Sequence, residues 1–214
     1  MATSTPQIVY VTVTVNPTPT PSPTIAQKTV LFSDDLSRWR SGWDSETEDS
    51  SGKTFYSGGS LHILDEKPPT GANYHRLNKN FNDFILDVDT KMIAGTDNNY
   101  QGVVFRMQDT DNYYFFVVSA DGYYAIVKFE NGNRNPISGS RPIRSSYINT
   151  GIGATNHIRV EANKNTLSLS VNDHLLRTIT DNTYREGTVS LAANSLTSGT
   201  FTEVAFNNLV ITQI

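Results

Sequence analysis

The chain has 214 residues, no cysteine, and a formal net charge of −4 from 17 basic and 21 acidic side chains. The missing cysteine excludes disulfides, thiolate nucleophiles and zinc–cysteine sites, and a mildly acidic chain without a basic run lacks the electrostatic footprint of a nucleic-acid binder. Only 18% of residues are charged, no stretch approaches the roughly 18 apolar residues of a membrane span, and ten Tyr and ten Phe among abundant Asn, Thr, Ser and Gly suit short strands joined by tight turns.

The first element is the run "QIVYVTVTV". Val9, Val11, Val13 and Val15 share one side of an extended strand, and Ile8, Tyr10, Thr12 and Thr14 share the other. Such a strand cannot stand alone in water. Asn16 to Thr24 follows with proline at every second position, a semi-rigid polyproline spacer of roughly 28 Å. Three fates are open for the strip: no partner beside an upstream anchor, an edge of its own sheet, or a neighbouring molecule's sheet through β-augmentation. No signal peptide is present, yet Pro/Thr/Ser spacers commonly tether exported domains. The expectation is an extracellular or cell-surface protein, bacterial or archaeal because it lacks cysteine, with a membrane or wall tether upstream. Residues 1–28 form the strip and linker, and 29–214 the folded domain.

From Thr29 onward the chain reads as strand after strand. "TVLFSDDLSRW" opens it, "YSGGSLHI" carries a Gly58-Gly59 turn, and "FNDFILDVDTKMI" alternates Phe84, Leu86, Val88 against Ile85, Asp87, Asp89, Lys91. In "YQGVVFRMQDTDNYYFFVVSADGYYAIVKFENG", three strands meet at Asp109-Thr110-Asp111-Asn112 and at Ala120-Asp121-Gly122, and end at Asn131-Gly132. After an irregular stretch from Arg134 to Gly153, "NHIRVEANKNTLSLSVNDHLLRTI" turns at Asn163-Lys164-Asn165 and Asn172-Asp173. "GTVSLAAN" and "FTEVAFNNLVITQI" supply the last strands. About ten to thirteen antiparallel strands and no helical period predict an all-β, two-sheet sandwich.

The phrases G-x-V-F-R, D-x-D-N-Y-Y-x-F, S-x-D-G-x-Y, V-N-D, G-x-V-x-L and F-N-N-L-V-I, in this order from Thr29 to Ile214, resemble the concanavalin A-like, laminin-G-like jelly-roll domains. The sequence looks closest to the bacterial and archaeal group related to the 3-keto-disaccharide hydrolase family. The resemblance implies two curved antiparallel sheets, the concave face of one often binding saccharide. The fold hosts lectins, hydrolases and adhesion modules, so it does not choose a function.

Alternation along "VVFRMQ" sets Val103, Phe105 and Met107 against Gly102, Val104, Arg106 and Gln108. An unpaired arginine cannot face an apolar core, so Arg106 is expected on the concave face, joined by Asp87, Asp89, Tyr114 or Tyr113, Tyr124 and Lys128. Trp43, and equally Trp39, is a candidate stacking platform. The bland alternative has the tyrosines filling half-buried faces, Arg106 pairing with Asp87 or Asp89, and the tryptophans packing at the sandwich edge. A glycosidase needs two carboxylates about 5 to 10 Å apart, and Asp87-x-Asp89-x-Lys91 puts lysine where a further acid is wanted, so no catalytic residue is assigned. The four histidines are scattered. The cofactor expectation is none, with a structural Ca2+ as the alternative. By the resemblance, Asp34 and Asp35 near the first strand would hold it, with Asn207 or Asn208 from the last. The expected function is a tethered, non-catalytic module binding carbohydrate or a cell-surface protein. Two alternatives stay open: a filament subunit self-associating through residues 8–15, and a hydrolase of the 3-keto-disaccharide type.

Overall fold

Period-two alternation between apolar and polar side chains, broken at Asn, Asp and Gly, dictates the architecture of the domain. The computed structural model describes Met1 and residues 28–66, 72–197 and 199–214. The strip with Val9, Val11, Val13 and Val15, and the spacer after it, lie outside the described residues. Among the described residues there are sixteen strands and no helix. In chain order these are β1 (Val30–Asp34), β2 (Thr47–Asp49), β3 (Gly52–Ser57), β4 (Ser60–Asp65), β5 (Asn73–Phe81), β6 (Phe84–Gly95), β7 (Tyr100–Asp109) and β8 (Asn112–Ser119). They continue as β9 (Tyr123–Glu130), β10 (Asn133–Pro136), β11 (Ile143–Arg144), β12 (Thr155–Asn163), β13 (Thr166–Val171), β14 (His174–Thr180), β15 (Gly187–Asn194) and β16 (Thr202–Thr212).

The first sheet runs β14-β13-β12-β6-β16-β4-β3-β2, with β1 also on β16. The second runs β10-β9-β8-β7-β15-β5, with β11 also on β9. All these pairings are antiparallel. Their facing sides make one core, in which Phe84, Leu86, Val88, Ile158, Val160 and Phe206 meet Val103, Phe105, Phe116, Ile126, Val189 and Leu191. This is the expected two-sheet jelly-roll sandwich. The turns fall where their residues require: Asn131 and Gly132 both have positive φ between β9 and β10, as do Asn172 and Asp173 between β13 and β14.

Two of the register slips bear on the candidate site. In β16 the register slips between Asn207 and Val210, with Asn208 at φ +56°. Inward-facing residues therefore change from Val204 and Phe206 to Leu209 and Ile211. The bend lets β4 pair with one half of β16 and β1 with the other. In β7 the slip falls after Val104, where Phe105 and Arg106 together oppose Val189 of β15. This second bulge decides where the candidate site residues point.

Candidate functional site

Arg106 does not line an open face. At the bulge its backbone takes φ +49°, which turns the side chain into the end of the sandwich, where it is fully buried. Its guanidinium donates to the carbonyls of Lys164 (2.7 Å), Tyr184 (3.1 Å) and Asn82 (3.1 Å), and to Asp83 Oδ1 (3.2 Å). It is a clamp holding the β12–β13, β14–β15 and β5–β6 connections together. The extra residue also inverts the frame after it: Met107 lies with Val104, not with Val103 and Phe105.

Tyr114 and Tyr124 are one step out of the expected frame, and Tyr113, the alternative to Tyr114, is in it. Tyr114 and Tyr124 point into the core between the sheets, while Tyr113 and Tyr123 take the outer side. Tyr114 donates to Asp181 Oδ1 (2.5 Å) and Tyr124 to the Leu176 carbonyl (3.3 Å). Lys128 donates to Thr183 Oγ1 (2.8 Å) and pairs with Asp181 (3.2 Å) and Glu130 (3.5 Å). Burial pushes the Asp181 carboxyl up, but hydrogen bonds from Tyr114, Thr183 and Lys128 outweigh it and hold it at about 2. Trp43 is buried, stacked on His75 at 5.5 Å, with Nε1 donating to Asp34 Oδ2 (3.1 Å). It is a core residue and offers no platform. Trp39 stays half exposed and donates to the Asp44 carbonyl.

Asp87 and Asp89 project from β6 opposite Phe84, Leu86 and Val88, so they sit on the outer face of the first sheet, away from Arg106. There His157 of β12 lies between them, with Nδ1 at 2.8 Å from Asp89 and Nε2 at 3.0 Å from Asp87. Arg159 Nε donates to Asp87 (2.7 Å), and Asn208 Nδ2 to Asp89 (2.8 Å). The Asp87 hydrogen bond, aided by that to Asp89, raises His157 to about 9 against the cost of burial. With both ring nitrogens engaged, the imidazolium has no free lone pair for general-base work. Burial raises Asp87, but His157 and Arg159 prevail and bring it below its ordinary value.

Each residue named for calcium has protein partners. Asp34 is buried, taking Leu36 N–H (2.9 Å) and the Trp43 indole, with Arg40 at 3.5 Å. Asp35 Oδ1 accepts from Ser37 N–H and Oγ. Asn207 bonds Ser60 (2.9 Å) and the Gly59 carbonyl (2.7 Å), and it is Asn208 whose backbone N–H reaches the Asp35 carbonyl (3.3 Å). Among the described residues no three His, Asp or Glu side chains are grouped to hold a metal ion.

The outer side of the second sheet has a different character. Val104, Met107, Phe115, Val117, Ala125 and Ala192 form an apolar floor against which Tyr74, Tyr113, Phe129 and Leu196 pack. Tyr113 stacks on Phe129 at 4.6 Å, and burial pushes its phenol up to about 12. In the middle of this face Val117 is 1% exposed and Ala192 0%, so side chains fill it. At one end it opens into a cleft of about 360 Å³ lined by Asn98, Tyr100, Ser119, Asp121, Tyr123, Arg141, Pro142 and Leu196.

Register builds this cleft. Tyr100 opposes Ser119 across β7 and β8, and the turn Ala120-Asp121-Gly122 carries the chain to Tyr123. Ser119 Oγ accepts the Tyr123 N–H (3.2 Å) and bonds the Asp121 carboxylate. The Asp121 N–H reaches the Asp97 carbonyl (3.0 Å), tying the turn to the β6–β7 loop. Buried Asn99 accepts the Leu196 N–H (3.0 Å). Burial raises the Tyr100 phenol, offset by the Arg134 charge and reinforced by Asp121. The part-exposed Tyr123 ring and the buried Tyr100, beside a carboxylate, a carboxamide and a guanidinium, suit a ligand with weakly polar faces and a rim of hydroxyls. Sequence reasoning missed Tyr123 because the adjacent pair Tyr123-Tyr124 gives no phase, and the others because they fall at strand ends and in turns.

Two antiparallel sheets packed face to face, with an aromatic cleft outside one, define a concanavalin A-like jelly roll. Residues 27–212 match the 3-keto-alpha-glucoside-1,2-lyase-like domain family, and the chain belongs to it. Among solved structures it resembles the carbohydrate-binding module CBM66 of Bacillus subtilis at 20% identity, over 80% of this chain and 96% of that one, with a TM-score of 0.57. It also resembles the β-glucanase of Bacillus licheniformis (11% identity, 88% and 100% covered, TM-score 0.61). A third is a putative glycosyl hydrolase from Parabacteroides distasonis (14% identity, 86% and 100% covered, TM-score 0.58). At these identities the likeness speaks for the fold alone. No curated protein matches the sequence.

Proposed function

We propose that this domain is a non-catalytic carbohydrate-binding module, exported and held at a cell surface through its Pro/Thr segment, with the saccharide seated in the Tyr100–Tyr123 cleft. The observation that carries the reading is the cleft lining: two tyrosines with Asn98, Asp121 and Arg141 around them. Aromatic faces take sugar rings, and planar polar groups take their hydroxyls. Asp121 is the one carboxylate among the lining residues, whereas glycoside hydrolysis calls for two. Asp87 and Asp89, the other pair considered, lie on the opposite sheet and are tied to His157. The naming of a similar fold as a carbohydrate-binding module adds support. The test is a glycan array with Tyr123→Ala and Asp121→Asn. Binding that disappears in both variants, with thermal midpoints unchanged, fits the reading. Turnover of a disaccharide by the unaltered protein refutes its non-catalytic part.

A second reading, self-association by strand addition, is favoured by β14. Five of the seven residues of this edge strand are exposed, Leu175 to 60%, and among the described residues only β13 pairs with it. Its seven residues match the eight of the Ile8–Val15 strip from a second copy. Equal elution of the full chain and of a chain beginning at Ala26, each as a monomer, refutes it.

A further inference from the structure

Two arginines, Arg141 and Arg144, stand on the edge of the second sheet beside the cleft. On β11, Ile143 opposes Tyr124 and Arg144 opposes Tyr123. Ile143 packs against the inter-sheet core, so alternation sends Arg144 to the outer side beside Tyr123. Arg141 lines the cleft directly. Both are exposed.

Four other arginines have carboxylate partners, Arg40 with Asp34 and Asp35, Arg76 with Asp44, Arg106 with Asp83 and Arg159 with Asp87, while Arg38, Arg177 and Arg185 form no such pair among the described residues. Neither of the rim arginines has such a partner among the described residues. The remaining segments, 2–27, 67–71 and 198, contain no Asp or Glu to supply one. Within the cleft, the Asp121 carboxylate is already engaged by Ser119. Arg141 and Arg144 thus set two positive charges against the single Asp121 carboxylate at the cleft, and a guanidinium fork fits a carboxylate or sulfate with two parallel hydrogen bonds.

We propose that the cleft takes an acidic saccharide, its ring on Tyr123 and its anionic group in the forks of Arg141 and Arg144. This rests on the carbohydrate reading above and narrows it.

The test is a glycan array carrying neutral, uronate-containing and sulfated oligosaccharides, probed with the full chain. Titration calorimetry of a uronate trisaccharide against its neutral methyl ester follows, at low and at moderate salt. The uronate is expected to bind at least about tenfold tighter than the ester and to weaken as salt rises. Arg141→Gln and Arg144→Gln are each expected to cost about tenfold with the thermal midpoint unmoved, while Arg38→Gln, in a distant loop, costs nothing. Binding confined to sulfated glycans and lost in the same two variants supports the arginine rim with sulfate as the anion. Equal binding of ester and uronate overturns the acidic specificity and leaves the carbohydrate reading standing. No binding in any of the three sets overturns both.

Discussion

Replacing Arg106 by methionine should unlock one end of the sandwich. Methionine keeps the apolar stem but removes the donors for three backbone carbonyls and Asp83. The Tyr184 carbonyl bond is buried, and those to Lys164 and Asn82 are partly so. An orphaned buried acceptor costs about 1–3 kcal/mol, so the three carbonyls together lose about 4 kcal/mol. Releasing the guanidinium from burial offsets some of this, and the Asp83 carboxylate left behind is 42% exposed and solvated, so it adds little. A net loss of about 3 kcal/mol follows. For a domain of this size that lowers the thermal midpoint by about 6–12 °C. Chemical denaturation followed by circular dichroism reads it directly. Arg106→Lys should be nearly as damaging, since an ammonium cannot fork to four acceptors. A loss below about 1 kcal/mol for Arg106→Met would refute the clamp and return Arg106 to the pool of surface groups.

Two further outcomes follow from the same structure. His157 is raised from 6.5 to about 9, so its contribution is complete below about pH 6.5 and disappears as pH rises through about 9. With 34% of its side chain exposed, screening limits the loss to about 1 kcal/mol. Denaturation midpoints should therefore fall between pH 7 and 10 in the native protein, and the fall should be smaller in His157→Gln. Gly102→Ala puts a Cβ 2.0 Å from the Phe116 carbonyl oxygen and 2.9 Å from Val117 Cα. Backbone must move to admit it, so about 3 kcal/mol should be lost, visible as a lowered thermal midpoint.

The sandwich was legible in the sequence because turns and alternation agreed. Asn131-Gly132 and Asn172-Asp173 turn where their left-handed backbone is needed, and Phe84, Leu86 and Val88 face inward as their spacing implies. The candidate site was not legible, for two physical reasons. A bulge inserts one residue without a local signal, and at Arg106 that single residue moved a presumed ligand contact into a buried clamp and Met107 onto the opposite face. The second reason is that β8 and β9 are covered on both sides, so the pairs Tyr113-Tyr114 and Tyr123-Tyr124 give no phase. The outer face of the second sheet is apolar where a sequence reader expects polar residues, and that hid the platform.

The most direct measurement is a map of amide chemical-shift changes as a saccharide that the protein binds is titrated into labelled full-length chain. The account predicts shifts concentrated at Asn98 to Tyr100, Ser119 to Tyr123, Arg141 and Arg144, with Asp87, Asp89 and His157 silent. A shift pattern centred on β6 and β12, with the Tyr100–Tyr123 end of the second sheet unmoved, would contradict it.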